Sequence, residues 1–444
     1  MENQRKRTMT PSIVLLISFL ILITIGTFLL SLPISVKEGV NNSVLTALFT
    51  TTSAVAVTGL SVVDVSKFYS YFGTTVIMVL IQLGGLGVMT FSSIIMLVIG
   101  KRISYEERKV LQEGLNRDSL EGIVKFVKKV VYIALGIEGI GATLLFFDFI
   151  KRYSFPKALY FSIFHSVSAF CNAGFGIWSD NLEGFKNDYY VLTIISLLIF
   201  FGGIGFAVIN TYALFFRGKI REVNLSSRMA VKLSIWLIII GSIIFFGFEY
   251  TNTLKDLSFT GKVFNSIFQS VTTRTAGFNS LPMGMLRQET LLIFIILMFI
   301  GASPGSTGGG IKTTTFGVIL FYALSIIRQE NEITIRKKRI PLEILHKALT
   351  LLIVAILYIT LITLLILLLE DYNFLNILFE VVSAFGTVGL STGITADLSS
   401  LSKILIIFTM YLGRVGPLTI AIVLGGKSKK SSKIKYPEEN ISIG

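Results

Sequence analysis

Four short strings of similar composition are the part of this sequence that could do chemistry. Each ends in a small residue, a glycine and then Leu or Phe, and we number them string 1 (residues 54–60), string 2 (169–175), string 3 (272–278) and string 4 (384–390). Glycine adopts backbone conformations closed to other residues and can turn carbonyls inward, and rings of carbonyls replace the hydration shell of an alkali cation. The strings therefore predict a cation selectivity filter. Its residues are Val57, Thr58, Gly59, Asn172, Ala173, Gly174, Thr275, Ala276, Gly277, Thr387, Val388 and Gly389.

The spacing of the strings decides between a filter and ordinary tight turns. A small residue followed by glycine is common in turns, so one string alone would fit either interpretation. The four glycines, however, recur at intervals of 115, 103 and 112 residues in a chain of 444. This near-equal spacing favours four repeats that each contribute one string to a common site.

The composition places these repeats in a membrane. Hydrophobic residues make up 52% of the chain, charged residues 15%, and the mean hydropathy is +0.76, which does not fit a soluble enzyme of this length. A helix that crosses the bilayer needs about 20 mainly apolar residues. Eight stretches predict such spans, some with a charge, a short length or a break: residues 12–32, 72–99, 130–147, 189–216, 233–248, 291–327, 348–369 and 404–424.

Each pair of long helices encloses a shorter apolar stretch that leads into a string. These stretches cover residues 44–53, 156–168, 262–271 and 374–383. They are too short to cross the bilayer and must re-enter it, with their irregular backbone facing protein or water. We therefore expect an all-α polytopic membrane protein with eight transmembrane helices and four re-entrant pore helices. Its four pseudo-symmetric repeats around one ion pore are residues 1–100, 101–217, 218–328 and 329–425, followed by a basic cytoplasmic tail at 426–444.

The net charge of +14 is concentrated in alternate loops. By the positive-inside rule, the N-terminus, the tail and the basic loops at 100–130, 216–232 and 328–347 are cytoplasmic. This distribution favours contact with anionic lipid headgroups over binding of nucleic acid. Cys171 is the only cysteine, which excludes a disulfide within the chain. We interpret His165, on the second short helix, as a packing residue.

A glycine-rich segment interrupts the third long inner stretch. The run from Gly301 to Lys312 contains a proline and several glycines, and no stable helix carries these in its interior. The segment at 301–314 is therefore expected to form a loop near the middle of the membrane, below the filter, where it could act as a gate. The gating residues are Gly301, Ala302, Ser303, Pro304, Gly305, Ser306, Thr307, Gly308, Gly309, Gly310, Ile311 and Lys312, joined by Arg414. A phosphate-binding loop is the alternative, but its glycine-lysine spacing is not met.

Two arginines stand out because a charge inside a membrane is costly unless it faces water or a partner. Arg414 occupies the position of a glycine or alanine in the other repeats, where it would repel cations and could hold the loop by its carbonyls; ion pairing with Glu138 or Glu249 is the alternative. Arg274, in string 3, is expected to point away from the axis and brace the filter from behind, with Glu380 as a possible partner.

Taken together, strings 1 to 4, the segment 303–312 and the run 412–417 resemble the Trk/Ktr/HKT superfamily of potassium transporters, and within it the bacterial Ktr membrane subunit. The resemblance implies potassium uptake across the bacterial plasma membrane, promoted by Na⁺, with K⁺ as the transported ion and no covalently bound cofactor. It also implies a homodimer that binds a cytoplasmic ring of nucleotide-binding regulatory subunits of the KtrA type. A glycine in every string favours potassium over sodium.

Two other function classes remain open at this point. A sodium- or proton-coupled secondary carrier would share the same spans. An intramembrane enzyme would need a reactive constellation. Glu138 is alone in its span, and His165 and His346 are far apart in the sequence, so we do not expect an enzyme.

Overall fold

The described residues of this computed structural model, 11–87, 105–114, 122–330, 332–335 and 338–416, are mostly helical, with almost no sheet. The helices, in chain order, are α1 (Pro11–Ser31), α2 (Val44–Val55), α3 (Val65–Phe68), α4 (Tyr71–Leu86), α5 (Tyr105–Gly114), α6 (Ile123–Phe149), α7 (Phe155–Phe170), α8 (Tyr189–Ile204), α9 (Phe206–Phe216), α10 (Leu225–Glu249), α11 (Phe259–Thr272), α12 (Gln288–Phe299), α13 (Thr313–Ile327), α14 (Leu342–Leu367), α15 (Phe374–Gly386) and α16 (Ser400–Val415). Three short 3₁₀ helices lie at Pro33–Ser35, Glu183–Phe185 and Met283–Met285, and a small antiparallel hairpin pairs β1 (Thr334–Ile335) with β2 (Lys338–Arg339).

Four long helices, α1, α6, α10 and α14, are apolar and long enough to cross a membrane. A fifth span results if α8 and α9, which are bent by 97° at their junction, are counted as one. The remaining inner helices are shorter, and the expected continuations of α4 and α16 fall on residues outside the described ranges. The chain is thus a multi-pass α-helical protein, while the expected count of eight spans stays a prediction.

Four short helices, α2, α7, α11 and α15, each follow one long helix and end within a string. Local sequence explains where they start. Ser43 Oγ accepts a hydrogen bond from the Thr46 amide at the start of α2, and Ser258 Oγ accepts one from Gly261 at the start of α11. Such caps satisfy amides that have no partner within the helix. Pro156 lies in the first turn of α7, where its missing N–H costs little.

Glycines on the inner helices allow close contact with the ends of the short helices. A Cβ atom added at Gly84, Gly202 or Gly413 would overlap a backbone carbonyl, that of Val55, Phe170 or Phe385 respectively. Small residues permit such close helix approach. The inner and short helices therefore pack closely through these glycines in the first, second and fourth repeats.

The second inner helix is not the uninterrupted span that its apolar run predicted. It breaks between α8 and α9 at Gly205, whose φ of 98° favours glycine. The break lets the Phe206 amide donate to Gly305 O at 3.0 Å and the Ser303 amide donate to Gly203 O at 2.9 Å. The prediction was wrong because these backbone groups are satisfied by the 301–312 segment, about a hundred residues later in the chain, and not by their own helix.

Candidate functional site

All four strings adopt the same unusual backbone conformation. The residue two before each glycine has a positive φ: 57° at Val57, 60° at Asn172, 67° at Thr275 and 50° at Thr387. Each string glycine also has a positive φ: 95° at Gly59, 67° at Gly174, 76° at Gly277 and 93° at Gly389. Left-handed residues at alternate positions turn the carbonyls of a strand toward one side instead of to alternate sides. Positive φ values at non-glycine residues are uncommon and mark functional backbone.

The strings lie beside one another in chain order and close into a ring. A Cβ atom added at Gly59 would lie 2.5 Å from Ala173 O, and one at Gly174 would lie 2.7 Å from Ala276 O. The equivalent atoms at Gly277 and Gly389 would overlap Val388 O and Thr58 O. Each string glycine therefore touches the carbonyl that precedes the glycine of the next string, and string 4 returns to string 1.

Side chains from the short helices hold the strings in place. The amides of Gly59 and Gly389 donate to Ser53 Oγ and Ser383 Oγ at 3.0 and 3.1 Å. In the other two strings a hydroxyl donates to the carbonyl after the glycine: Ser168 Oγ to Phe175 O at 2.8 Å and Thr272 Oγ1 to Phe278 O at 2.6 Å. The four hydroxyl side chains are fully buried. The ring is thus fixed from behind by hydroxyl groups of the short helices.

A cavity of about 420 Å³ opens on one side of the ring. Its lining includes the string glycines Gly59, Gly277 and Gly389, and Glu183 is the acidic residue that lines it. Partial burial, together with the neighbouring Asp180, raises the pKa of Glu183, although a hydrogen bond from Asn279 and the charge of Lys186 act in the opposite direction. The cavity gives water and ions direct access to one side of the ring.

The predicted gating segment lies on the other side of the ring, and it is non-helical between α12 and α13. It touches three strings. The Gly309 amide donates to Thr387 Oγ1 at 3.0 Å, and a Cβ atom at Gly308 would overlap Thr275 Oγ1. Thr307 Oγ1 donates to Phe170 O in string 2 at 3.2 Å. Asn172, in string 2, and Thr275 are in turn hydrogen bonded to each other at 3.1 Å.

The segment is also bonded to itself. The Ala302 amide donates to Gly309 O, the Thr313 amide donates to Ala302 O, both at 3.3 Å, and Ile300 pairs with Ile311. Lys312 Nζ donates to Gly308 O at 2.9 Å. The predicted break of the helix is therefore confirmed, and the segment is an ordered loop that lies directly against the ring.

Arg414 joins this loop to the first inner helix. Its guanidinium donates to Thr307 O of the loop and to Gly84 O and Gly85 O at the end of α4. The alternative of ion pairing with Glu138 or Glu249 is wrong, because those carboxylates have other partners. Glu138 accepts from Gln82, and Glu249 accepts from Thr290, Asn252 and the Arg287 amide. The helix end and the non-helical loop each present carbonyls that this arginine can reach.

Arg274, in string 3, is buried. Its predicted position behind the filter stays a prediction, and the suggestion of Glu380 as its partner was wrong. Its Nη2 donates to Gly301 O at 3.4 Å, at the start of the loop. Glu380 instead accepts from Ser391, Thr392 and Thr395, so it forms no ion pair with Arg274 among the described residues. Arg274 therefore contacts the loop as well as belonging to the ring.

His165 is a packing residue in the structure, and it also ties two segments together. It stacks on Trp178 with ring centroids 3.9 Å apart. Its Nδ1 hydrogen bonds with Phe161 O at 2.8 Å, and its Nε2 accepts from the Ile177 amide, just after string 2. This second bond could not be predicted from the sequence, because its donor is the backbone amide of Ile177 and not a polar side chain.

Comparisons with known proteins agree with this geometry. A model of the TrkH family, described as a cation transport protein, matches residues 1–434. The chain is 40% identical to the Ktr system potassium uptake protein B of Bacillus subtilis over 98% of this chain and 97% of that protein. It is 36% identical to the potassium/sodium uptake protein NtpJ of Enterococcus hirae, over 100% of this chain and 99% of that protein.

A solved structure supports the fold independently. The crystal structure of the potassium transporter TrkH from Vibrio parahaemolyticus matches with a TM-score of 0.75 at 17% identity, covering 96% of this chain and 86% of that one. The family model and the two relatives confirm the predicted superfamily, which the sequence analysis inferred from the strings, the loop and the segment around Arg414. With a family model that covers nearly the whole sequence and relatives that match it over their full length, the chain belongs to the TrkH family of cation transport proteins.

Proposed function

We propose that this protein takes up potassium through the ring of four strings, which acts as a selectivity filter. The observation that carries the proposal is the closed ring itself, with left-handed residues at the same two positions of every string. Twelve residues would line it, the three of each string from Val57–Gly59 to Thr387–Gly389 that the sequence analysis identifies. Potassium is the named cargo of the relatives from Bacillus subtilis and Enterococcus hirae.

The ring suits a cation that has lost its water. Backbone carbonyls turned to the axis replace hydration oxygens. The short helices end at the strings, so their negative dipole ends also favour a cation there. The cavity above the ring, with Glu183 in its lining, would supply hydrated ions.

The loop at 301–312 and Arg414 would form the gate. The loop lies against strings 2, 3 and 4, where it would block the exit of an ion from the ring. Arg414 holds the loop to α4 through carbonyls and places a permanent positive charge next to the path. Both features would limit the rate of flow without changing which ion is selected.

Sodium enters the proposal as an activating ion. NtpJ is named for both potassium and sodium uptake, so a sodium-coupled carrier is the second candidate, with a proton-coupled carrier as its variant. An intramembrane enzyme is set aside because the family is one of transport proteins.

The membrane location, topology and assembly are proposed from the same resemblance. We place the protein in the bacterial plasma membrane with eight spans, four pore helices, cytoplasmic termini and the four repeat boundaries given above. A homodimer, contact with anionic lipid and a cytoplasmic nucleotide-binding ring complete the proposal. The word "system" in the names of the Ktr relatives supports a regulatory partner.

Flux in proteoliposomes tests the function. We expect potassium uptake that follows an imposed voltage and is accelerated by sodium on either side of the membrane. Uptake that follows the sodium gradient at zero voltage would instead identify a coupled carrier. Absence of potassium flux in a folded, reconstituted protein would contradict both.

A further inference from the structure

The chain that leaves string 4 is tied to a buried carboxylate. Glu380, on α15, is 2% exposed. It accepts hydrogen bonds from Ser391 Oγ at 2.5 Å, from the Thr392 amide at 3.0 Å and from Thr395 Oγ1 at 2.9 Å. Ser391, Thr392 and Thr395 all line the cavity above the ring. No cationic side chain contacts Glu380 among the described residues, so the carboxylate is held by neutral donors alone.

In strings 2 and 3 the backbone amide that corresponds to Thr392 is bound by a neutral side chain. The amide three residues after the string glycine is bound in each case by a polar side chain of the preceding short helix. His165 accepts from Ile177 at 3.4 Å. Gln269, with its amide oxygen facing Ser280, accepts from the Ser280 and Leu281 amides at 3.2 Å. This bond from a short-helix side chain to the amide after the string, which we call the tether, therefore recurs in three repeats, but only that of string 4 uses a carboxyl group, which is negatively charged when it is deprotonated.

The direction of the hydrogen bonds gives this charge a consequence. Ser391 and Thr395 each donate their hydroxyl proton to Glu380, because a carboxylate can only accept. The Gly393 amide donates to Ser391 Oγ at 2.9 Å and occupies one of its lone pairs. The remaining lone pairs of the two hydroxyl oxygens, which lie 2.8 Å apart, are left for other partners, and these residues border the cavity. A fixed carboxylate behind oriented hydroxyl oxygens stabilises a cation more than a neutral tether would.

We propose that Glu380 is a positioning residue for cation binding at the cavity side of the ring, acting through Ser391 and Thr395 as well as through its own charge. The inference rests on the proposed function, and it assigns the string-4 repeat a larger share of potassium binding than the other three.

The test separates the charge from the tether. In reconstituted protein, Glu380→Gln keeps the shape but has one acceptor oxygen and must donate with its amide group, so one hydroxyl is turned around. We expect the KM for potassium to rise about fivefold while Vmax stays within about twofold. In Glu380→Gln combined with Gln269→Glu, the charge moves to the tether of string 3 and KM should fall back toward that of the parent protein.

Two controls keep the inference falsifiable. Glu370→Gln makes the same chemical change at a carboxylate that accepts from the Ser399 amide, away from the ring, and should leave KM unchanged. If Glu380→Gln does not fold, Gln269→Glu alone decides: it should lower KM, and an unchanged KM would overturn the inference. A Glu380→Gln protein with a lower unfolding temperature and a normal KM would reduce Glu380 to a structural tether.

Failure of the proposed function gives a different result. A parent protein that carries no potassium would contradict that function before any variant is compared. A parent protein that carries potassium, with equal KM values in all four variants, would contradict only the role of Glu380.

Discussion

The two sides of the string ring differ in symmetry. The ring itself repeats the same backbone conformation four times, and the cavity side is open to water. On the other side the repeats differ: the second inner helix bends by 97° at Gly205, and the third is interrupted by the loop between α12 and α13.

This difference separates selection from control. A ring that selects by coordination needs equivalent ligands on all sides, so each repeat must supply the same backbone. A gate needs only one movable element, and a loop from a single repeat, held by one arginine from another, is sufficient. Changes in the ring should therefore alter which ion passes, and changes below it should alter how fast.

The largest expected effect is at the ring. In Gly277→Ser, the side chain would overlap Val388 O, and the backbone φ of 76° is strained for any residue with a Cβ. String 3 must then shift away from string 4. We expect discrimination of potassium over sodium to fall about tenfold or more, which corresponds to at least about 1.4 kcal/mol, as measured by competing fluxes in proteoliposomes.

The matched control is Gly247→Ser on α10. This glycine has ordinary helical geometry and no atom within 4 Å of an added Cβ, so the same substitution has room there. Equal selectivity in both variants and the parent would count heavily against the ring as the filter.

The next largest effect is expected below the ring. Deletion of residues 306–310 removes the contacts of the loop with Thr387 and the carbonyl that Arg414 binds. Potassium flux should rise about tenfold with selectivity preserved, because the ring is untouched, and flux assays with potassium and sodium would show both. Release of the barrier requires loss of only a few hydrogen bonds of about 1 kcal/mol each.

Two point variants test the gate more specifically than the deletion does. Arg414→Ala should raise flux in the same direction but less, since the loop keeps its bonds to the strings. Ser306→Ala should have no effect, because Ser306 Oγ has no partner in the described part of the chain. Loss of all flux in a folded deletion variant would contradict the gate.

The same contrast explains how far the sequence could predict this protein. The repeats, the short helices and the break after residue 300 follow from local signals: apolar length, glycine strings and a proline among glycines. The observed start of α11 at Phe259 differs from the predicted 262 only because Ser258 caps the helix.

Partners that are backbone groups could be predicted only in part. The loop carbonyl that Arg414 binds was expected, whereas the carbonyls of Gly84 and Gly85 were not, and Arg274 binds a carbonyl where a carboxylate was the suggested partner. A sequence shows which side chains are charged, and it does not show which carbonyls a broken helix leaves free. The bend at Gly205 escaped prediction for the same reason, since the Phe206 amide next to it donates to Gly305 O, outside its own helix.

Arg274 lies between the two regions and should give an intermediate effect. It belongs to string 3 but donates to Gly301 O at the start of the loop. Arg274→Gln keeps a polar donor on a shorter side chain and removes the charge, whereas Arg274→Ala removes both. We expect Arg274→Ala to raise flux a few-fold and to weaken selectivity by less than Gly277→Ser does, with Arg274→Gln between it and the parent. An Arg274→Ala protein that folds, selects and conducts normally would refute its bracing role.

The smallest effect is expected at Glu183, in the cavity above the ring. Its raised pKa means that it takes up a proton at a higher pH than an ordinary glutamate. Protonation removes a negative charge that attracts cations, so potassium uptake should decline as the pH falls through this range, by less than about threefold and most visibly at low ionic strength. Glu183→Gln should show the lower uptake at all pH values and lose this part of the pH dependence.

The sign of the shift means that protonation of Glu183 does not itself promote unfolding. Because the folded protein holds the proton on Glu183 more tightly than the unfolded chain does, protonation of this group favours the folded state. Its contribution to stability therefore increases as the pH falls, in the same range in which uptake should decrease. A decline in uptake that persists unchanged in Glu183→Gln would assign the pH dependence to another group, and it would leave the cavity without an electrostatic role for its acidic residue.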